Sequence, residues 1–168
     1  MKFGEAVISG YRNAFVYSGR STRSEYWWFT LFGVILSTLI VVGSIMYAFG
    51  GVGTNPTDEE AFDAFFKGMM YALIACWIVV GLPGVALGVR RLHDIGRGGV
   101  WMILAAGFQL SVGVGFFTGA ESAASSFILT VLSAGMNIMQ LVIIVMAAMP
   151  SQPFTNRYGT FGETEITN

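Results

Sequence analysis

Trp27-Trp-Phe-Thr-Leu-Phe-Gly-Val-Ile-Leu-Ser-Thr-Leu-Ile-Val-Val-Gly-Ser-Ile-Met-Tyr-Ala-Phe49 decides the fold. No residue in it is charged, and it exceeds the roughly 20 apolar residues that carry an α-helix across a bilayer core. In lipid, every backbone N–H and C=O must find its partner within the segment, which makes such a run a helix. A membrane β-strand would alternate apolar with polar residues, and this stretch is apolar on all sides. Three more stretches share the property, at about 69–89, 100–118 and 127–149. The reading is therefore all-α: one membrane domain over residues 1–168, a four-helix bundle preceded by a short amphipathic helix. Nothing resembles a cleaved signal peptide, because the first apolar run far exceeds the length of a signal h-region, so it is expected to remain as a span.

Composition agrees. Of 168 residues 54% are hydrophobic and 11% charged, against about 25% charged in soluble domains. Too little charge is present to cover a globule in water. The lone Cys76 excludes a disulfide within one chain.

The charges that remain are sorted by side. Lys2, Arg12, Arg20 and Arg23 precede the first span, Arg90, Arg91 and Arg97 lie between the second and third, and Arg157 follows the fourth. The other two loops hold only Lys67 among the basic residues, beside Asp58, Glu59, Glu60, Asp63 and Glu121. The positive-inside rule then places segment 1–26, loop 90–99 and tail 150–168 in the cytoplasm. Tyr26, Trp27, Trp28 and Trp101 fall at the inner interface, where amphipathic rings concentrate.

Local signals mark the boundaries. Thr57-Asp-Glu-Glu60 reads as a capping box starting a short outer helix that leads into the second span. Thr22 and Glu25 offer a similar start for the first. Pro83 predicts a kink in the second. Phe3, Val7, Tyr11 and Phe15 recur at helical spacing, predicting an amphipathic helix that lies on the inner leaflet or packs on the cytoplasmic loops.

Inside the fourth span Thr130, Ser133, Asn137 and Gln140 share a face, and Gln109 lies at similar depth in the third. Amides facing lipid are costly, so Gln109 is expected to bond Asn137 or Gln140 between helices. These residues, Gln109, Ser133, Asn137 and Gln140, are read as packing glue, with the lining of a polar pathway in a small oligomeric transporter or channel component as the alternative.

The most distinctive stretch is Arg90-Arg91-Leu92-His93-Asp94-Ile95-Gly96-Arg97. On a continuing helix Arg90 and Asp94 are spaced to pair, and Gly96 fits a left-handed helix end. Gly19-Arg20-x-x-Arg23-Ser24-Glu25-Tyr26-Trp27 and Asn156-Arg157-Tyr158-Gly159 face the same side. These three motifs, in this order and with Pro83 ahead of the second, resemble the domain of unknown function (DUF) 805 family of small bacterial inner-membrane proteins. The resemblance covers nearly the whole chain. One departure is Gly98-Gly99-Val100-Trp101, where the family usually has Ser-Gly-Trp-Trp. The resemblance implies a membrane fold and the bacterial inner (plasma) membrane; it supplies no activity and no catalytic residues.

Function must then be read from the residues. Guanidinium forks suit phosphate and carboxylate, and basic pockets at the cytoplasmic side of spans bind phospholipid headgroups. Arg20, Arg23, Arg90, Arg91, His93, Asp94, Arg97 and Arg157 are the candidate cap for an anionic lipid headgroup or a partner protein, with topology determination and loop-locking ion pairs as the plainer role. A homo-oligomer or membrane-protein partner is compatible with this reading. Catalysis has little support: His93 and Asp94 are adjacent and do not face each other on a helix. There is no cluster with metal spacing, no dinucleotide or P-loop motif, and hence no expected cofactor. A pI near 5.7 with interfacial basic residues argues against nucleic acid.

Overall fold

The computed structural model describes residues 1–50, 57–107 and 123–159. Among them the chain is helical, with no strand beyond a single bridge between Asn156 and Gly159. Helix α1 covers Phe3–Arg12, α2 Arg23–Gly50 and α3 Asp58–Cys76. A π-helical turn, Trp77–Gly81, joins α3 to α4, Leu82–Asp94. Helix α5 occupies residues 100–107, and α6 covers Ala123–Ala148.

Three of these helical stretches are long and apolar enough to cross a membrane: Arg23–Tyr47, Glu59–Asp94 and Thr130–Ala148. The expected third span, 100–118, is described only as far as residue 107, and Gln109 lies outside the described residues. The second stretch is longer than the expected 69–89. Thr57 caps it, its hydroxyl accepting from the Glu60 N–H at 3.2 Å while Glu60 accepts from the Thr57 N–H at 3.1 Å. The outer amphipathic turns and the span thus form one continuous rod. The apolar part ends at Val89, and Arg90–Asp94 belong to what lies beyond it.

Pro83 has no N–H to give, and the helix meets it with a π turn rather than a simple break. The Leu82 N–H reaches back to the Trp77 carbonyl, five residues earlier, so one extra residue is absorbed just before the proline. Near this point α2 and the rod touch closely: a Cβ on Gly33 would lie 2.6 Å from Val80.

The tightest packing is at the end carrying the arginines. Tyr26 and Phe29 of α2, Leu87 of α4 and Ala147 of α6 form a buried cluster, with Phe32 against it. Helix α1 packs across it. Gly10 is buried because an added Cβ would stand 2.3 Å from the Phe29 ring. Phe3 meets Trp28 edge-on at 5.8 Å and Tyr11 meets Phe29 at 5.7 Å. The expected amphipathic helix therefore exists, ends before Phe15, and packs on protein along one face.

Candidate functional site

Helix α4 delivers the central motif to a point where three other segments meet. It ends in a Schellman motif: the Gly96 N–H bonds the His93 carbonyl at 3.0 Å and the Arg97 N–H the Leu92 carbonyl at 2.8 Å. This geometry needs a left-handed residue, and Gly96 has φ +75. The Ser21 N–H donates to the Arg90 carbonyl at 3.1 Å, and the Gln152 N–H to the Asp94 carbonyl at 3.1 Å. The chain before α2 and the chain after α6 are thus laid on opposite edges of the same turn.

Asp94 is the hub. Arg20 Nε stands 2.9 Å from its Oδ1, and Arg91 Nη1 binds its Oδ2. The pairing expected within the helix, Arg90 with Asp94, does not form. Position i+3 brings Arg91 to the carboxylate, and Arg20 arrives from another segment to take the other oxygen.

Each buried arginine then holds a different piece of chain. Arg20 donates to the Gln152 carbonyl at 2.6 Å and the Phe154 carbonyl at 2.9 Å, tying down the tail. Arg91 donates to the Ala147 carbonyl at 3.0 Å and to that of Met149, satisfying the orphan carbonyls at the α6 end, where a cation also suits the helix dipole. Arg90 donates to the Asn13 and Val16 carbonyls at 2.7 and 2.6 Å, fixing the loop after α1. All three are at most 5% exposed, as are Asp94 and Glu25. Buried charges persist only where paired and hydrogen-bonded, and this forked bonding to several carbonyls at once is what guanidinium offers and ammonium does not. Arg90 Nη2 alone among these groups is buried without a partner among the described residues.

Among the described residues Glu25 accepts hydroxyls rather than guanidinium groups. Its two oxygens accept the hydroxyls of Ser9 at 2.7 Å and Ser21 at 2.6 Å, which joins α1 to the start of α2. Thr22 caps α2 as expected, accepting from the Glu25 N–H at 3.2 Å.

The tail motif docks on His93. The Asn156 amide donates to the His93 carbonyl at 3.0 Å, and Asn156 Oδ1 accepts the Tyr158 N–H at 2.9 Å. The Tyr158 ring then stacks on the His93 ring, centroids 3.8 Å apart and planes 4° from parallel. His93 Nδ1 lies 3.2 Å from the Gly19 carbonyl; a carbonyl only accepts, so Nδ1 carries the proton. Burial, and after it the charge of Arg157, lowers the His93 pKa against the opposing pull of that carbonyl.

Of the eight predicted cap residues, the structure draws Arg20, Arg90, Arg91, His93 and Asp94 into this network. It leaves Arg23, Arg97 and Arg157 exposed around it, with the Arg157 guanidinium 4.7 Å over the Tyr158 ring. Ser9, Ser21, Gln152 and Tyr158 join the site without being among its expected residues; Tyr158 stands inside a family motif, Ser21 falls at an open position of another, and Ser9 and Gln152 carry no sequence signal. In the seam, Asn137 donates to the Ser133 carbonyl at 2.8 Å and Ser133 to the Thr130 carbonyl at 2.8 Å, both within α6. The interhelical bond expected from Gln109 falls outside the described residues. No group of His, Cys, Asp and Glu suited to a metal occurs among the described residues.

Comparison with known proteins follows the same residues. The family described as "Protein of unknown function (DUF805)" matches residues 14–160, which contain all three motifs. The "Inner membrane protein YhaI" of Escherichia coli K12 is 32% identical over 97 residues, 58% of this chain and 67% of that protein. Its counterpart in E. coli O157:H7 matches equally. No solved structure matches. With helices apolar enough to span a bilayer and a homologous inner-membrane protein, the chain is a membrane protein of unknown function. It belongs to the DUF805 family.

Proposed function

We propose that this is a non-enzymatic, four-span protein of the bacterial inner membrane, with both termini cytoplasmic, whose arginine-rich cap is a scaffold that holds exposed cations against anionic phospholipid headgroups. The observation that carries the reading is the division of the arginines. Arg20, Arg90 and Arg91 are buried on protein acceptors, so of the six cap arginines those open to an outside ligand are Arg23, Arg97 and Arg157, all exposed. Trp27 and Trp28 beside Arg23 are partly exposed, as interfacial rings are.

The topology is supported by the cap itself. The chain before α2, the turn after α4 and the tail after α6 are bonded together, so they share one side. α2 leaves that side, α3–α4 return to it, and α6 ends at it. Residues 100–118, uncharged and apolar, are the stretch that would carry the chain away again. The bias of Lys and Arg toward this side makes it the cytoplasmic one.

Native mass spectrometry in mild detergent, with bound lipids identified, tests the lipid role. Wild type is expected to retain phosphatidylglycerol or cardiolipin, and an Arg23→Gln/Arg97→Gln/Arg157→Gln variant to lose that selectivity while staying folded. Equal, non-selective lipid on both would refute it, and a co-purified protein lost from the variant would make the cap a partner site instead.

A further inference from the structure

Helix α1 carries more than its packing requires. It has three faces. One meets protein: Ala6 and Gly10 are buried, and Ser9 donates to Glu25. A second is polar and exposed, with Lys2, Glu5 and Arg12. A third is apolar and exposed: Ile8 is 68% and Met1 46% accessible, and Phe15, on the turn that follows, 75%. At about 100° per residue, Ile8 points away from the face formed by Ala6 and Gly10.

Its contacts with α2 fix how α1 is rolled. Ser9 meets Glu25 in the first turn of α2, whereas Phe3 and Tyr11 both reach Phe32, with ring centroids 6.4 and 6.0 Å apart. Phe32 lies about 10 Å further along α2 at 1.5 Å per residue. One edge of α1 is therefore level with the arginine cap and the other with the apolar body of a helix able to span the bilayer. Ile8 sits at intermediate depth, facing outward, with Arg12 and Lys2 on the cap side.

We infer that α1 is an interfacial helix, with Ile8, Tyr11 and Phe15 immersed at the glycerol–acyl boundary of the inner leaflet and Lys2 and Arg12 at its phosphates. The occupant of the exposed apolar face is lipid. Phe3 of α1 packs on Trp28 of α2, and both rings are partly exposed, while the cations of α1 complement anionic headgroups. This rests on the proposed reading that α2 crosses the membrane.

The test uses the full chain with Cys76→Ser and a single new cysteine, Ile8→Cys, Glu5→Cys or Leu39→Cys, each carrying an environment-sensitive fluorophore. The variants are placed in bilayers of phosphatidylethanolamine and phosphatidylglycerol, with spin labels either near the glycerol or deep in the acyl chains. The Ile8 probe is expected to be blue-shifted and quenched several-fold more by the shallow label than the Glu5 probe. The Leu39 probe is expected to respond to the deep label. A Leu39 response with an Ile8 probe as wet as Glu5 overturns the inference and leaves the span intact. An Ile8 probe dry but untouched by either label means that protein covers it, and also overturns the inference. Failure of Leu39 to respond removes the spanning reading on which it stands.

Discussion

Arg20 and Asp94, seventy-four residues apart in sequence, meet with both Nε and Nη2 of the guanidinium 2.9 Å from one carboxylate oxygen. Arg91 binds the other oxygen. One carboxylate thus binds two buried cations that hold the tail and the end of α6. Asp94→Asn would strip the charge while keeping the shape, taking a carboxylate charge away from a site in which two guanidinium groups are buried. A loss of about 3–5 kcal/mol is expected, read as a lowered midpoint of thermal or denaturant unfolding in detergent. An unchanged midpoint would contradict the hub.

Arg91 also donates to the Ser151 hydroxyl at 3.1 Å, and Arg91→Lys keeps the charge but cannot serve Asp94, Ser151 and the Ala147 and Met149 carbonyls together. The cost is expected at about 1.5–3 kcal/mol, the range for hydrogen bonds to charged groups. It should appear as faster amide exchange confined to the end of α6 and the tail, with α2 unaffected.

Two glycines of α1 separate packing from propensity. At Gly10 a Cβ would lie 2.3 Å from Phe29, whereas at Gly4 nothing stands within 4 Å. Gly10→Ala is expected to destabilise the docking of α1 by about 1–3 kcal/mol through overpacking. Gly4→Ala is expected to be neutral or to stabilise by about 0.5–1 kcal/mol, as alanine does within a helix. Unfolding midpoints of the two variants, measured side by side, check the contrast.

The His93–Tyr158 stack gives a pH dependence whose direction follows from burial. The His93 pKa is lowered in the folded chain from its ordinary 6.5, so the folded state holds fewer protons than the unfolded one. The neutral ring's contribution is complete above that ordinary value. It is lost as pH falls through 6.5 toward the lowered folded value, and the loss levels off below it. Exchange protection at residues 156–159, corrected for intrinsic rates, should weaken over that window in wild type and stay flat in His93→Gln.

Much of this was legible in the sequence, for physical reasons. Uncharged runs must be helices in lipid, and Thr22 and Thr57 announce their starts by spacing alone. Gly96 marks the end of α4 because few other residues accept its backbone angles. The three motifs face one side because the loops alternate in charge. What could not be read was partnership. Arg90 and Asp94 sit at pairing distance along a helix, yet Arg91 and Arg20 win the carboxylate because helix rotation and a distant loop decide the geometry. The arginine acceptors are mostly backbone carbonyls, which carry no sequence signature. That Arg20, Arg90 and Arg91 are buried while Arg23, Arg97 and Arg157 are exposed is equally invisible in a list of cations. The run of the second helix from the Thr57 cap into the span was announced by the capping box, whereas the π turn ahead of Pro83 has no spacing that marks it.

The account stands on the cap lying in the cytoplasm with all three of its segments, and vectorial thiol labelling tests that most directly. In a Cys76→Ser background, single cysteines at Ser18, Gly98 and Thr155, with Glu59 as the opposite-side reference, would be exposed to a membrane-impermeant maleimide. The account predicts that Ser18→Cys, Gly98→Cys and Thr155→Cys label in inverted vesicles and not in right-side-out ones, with Glu59→Cys reversed. Labelling of any of the three from the outer face, or of Glu59→Cys from the same side as them, would contradict it.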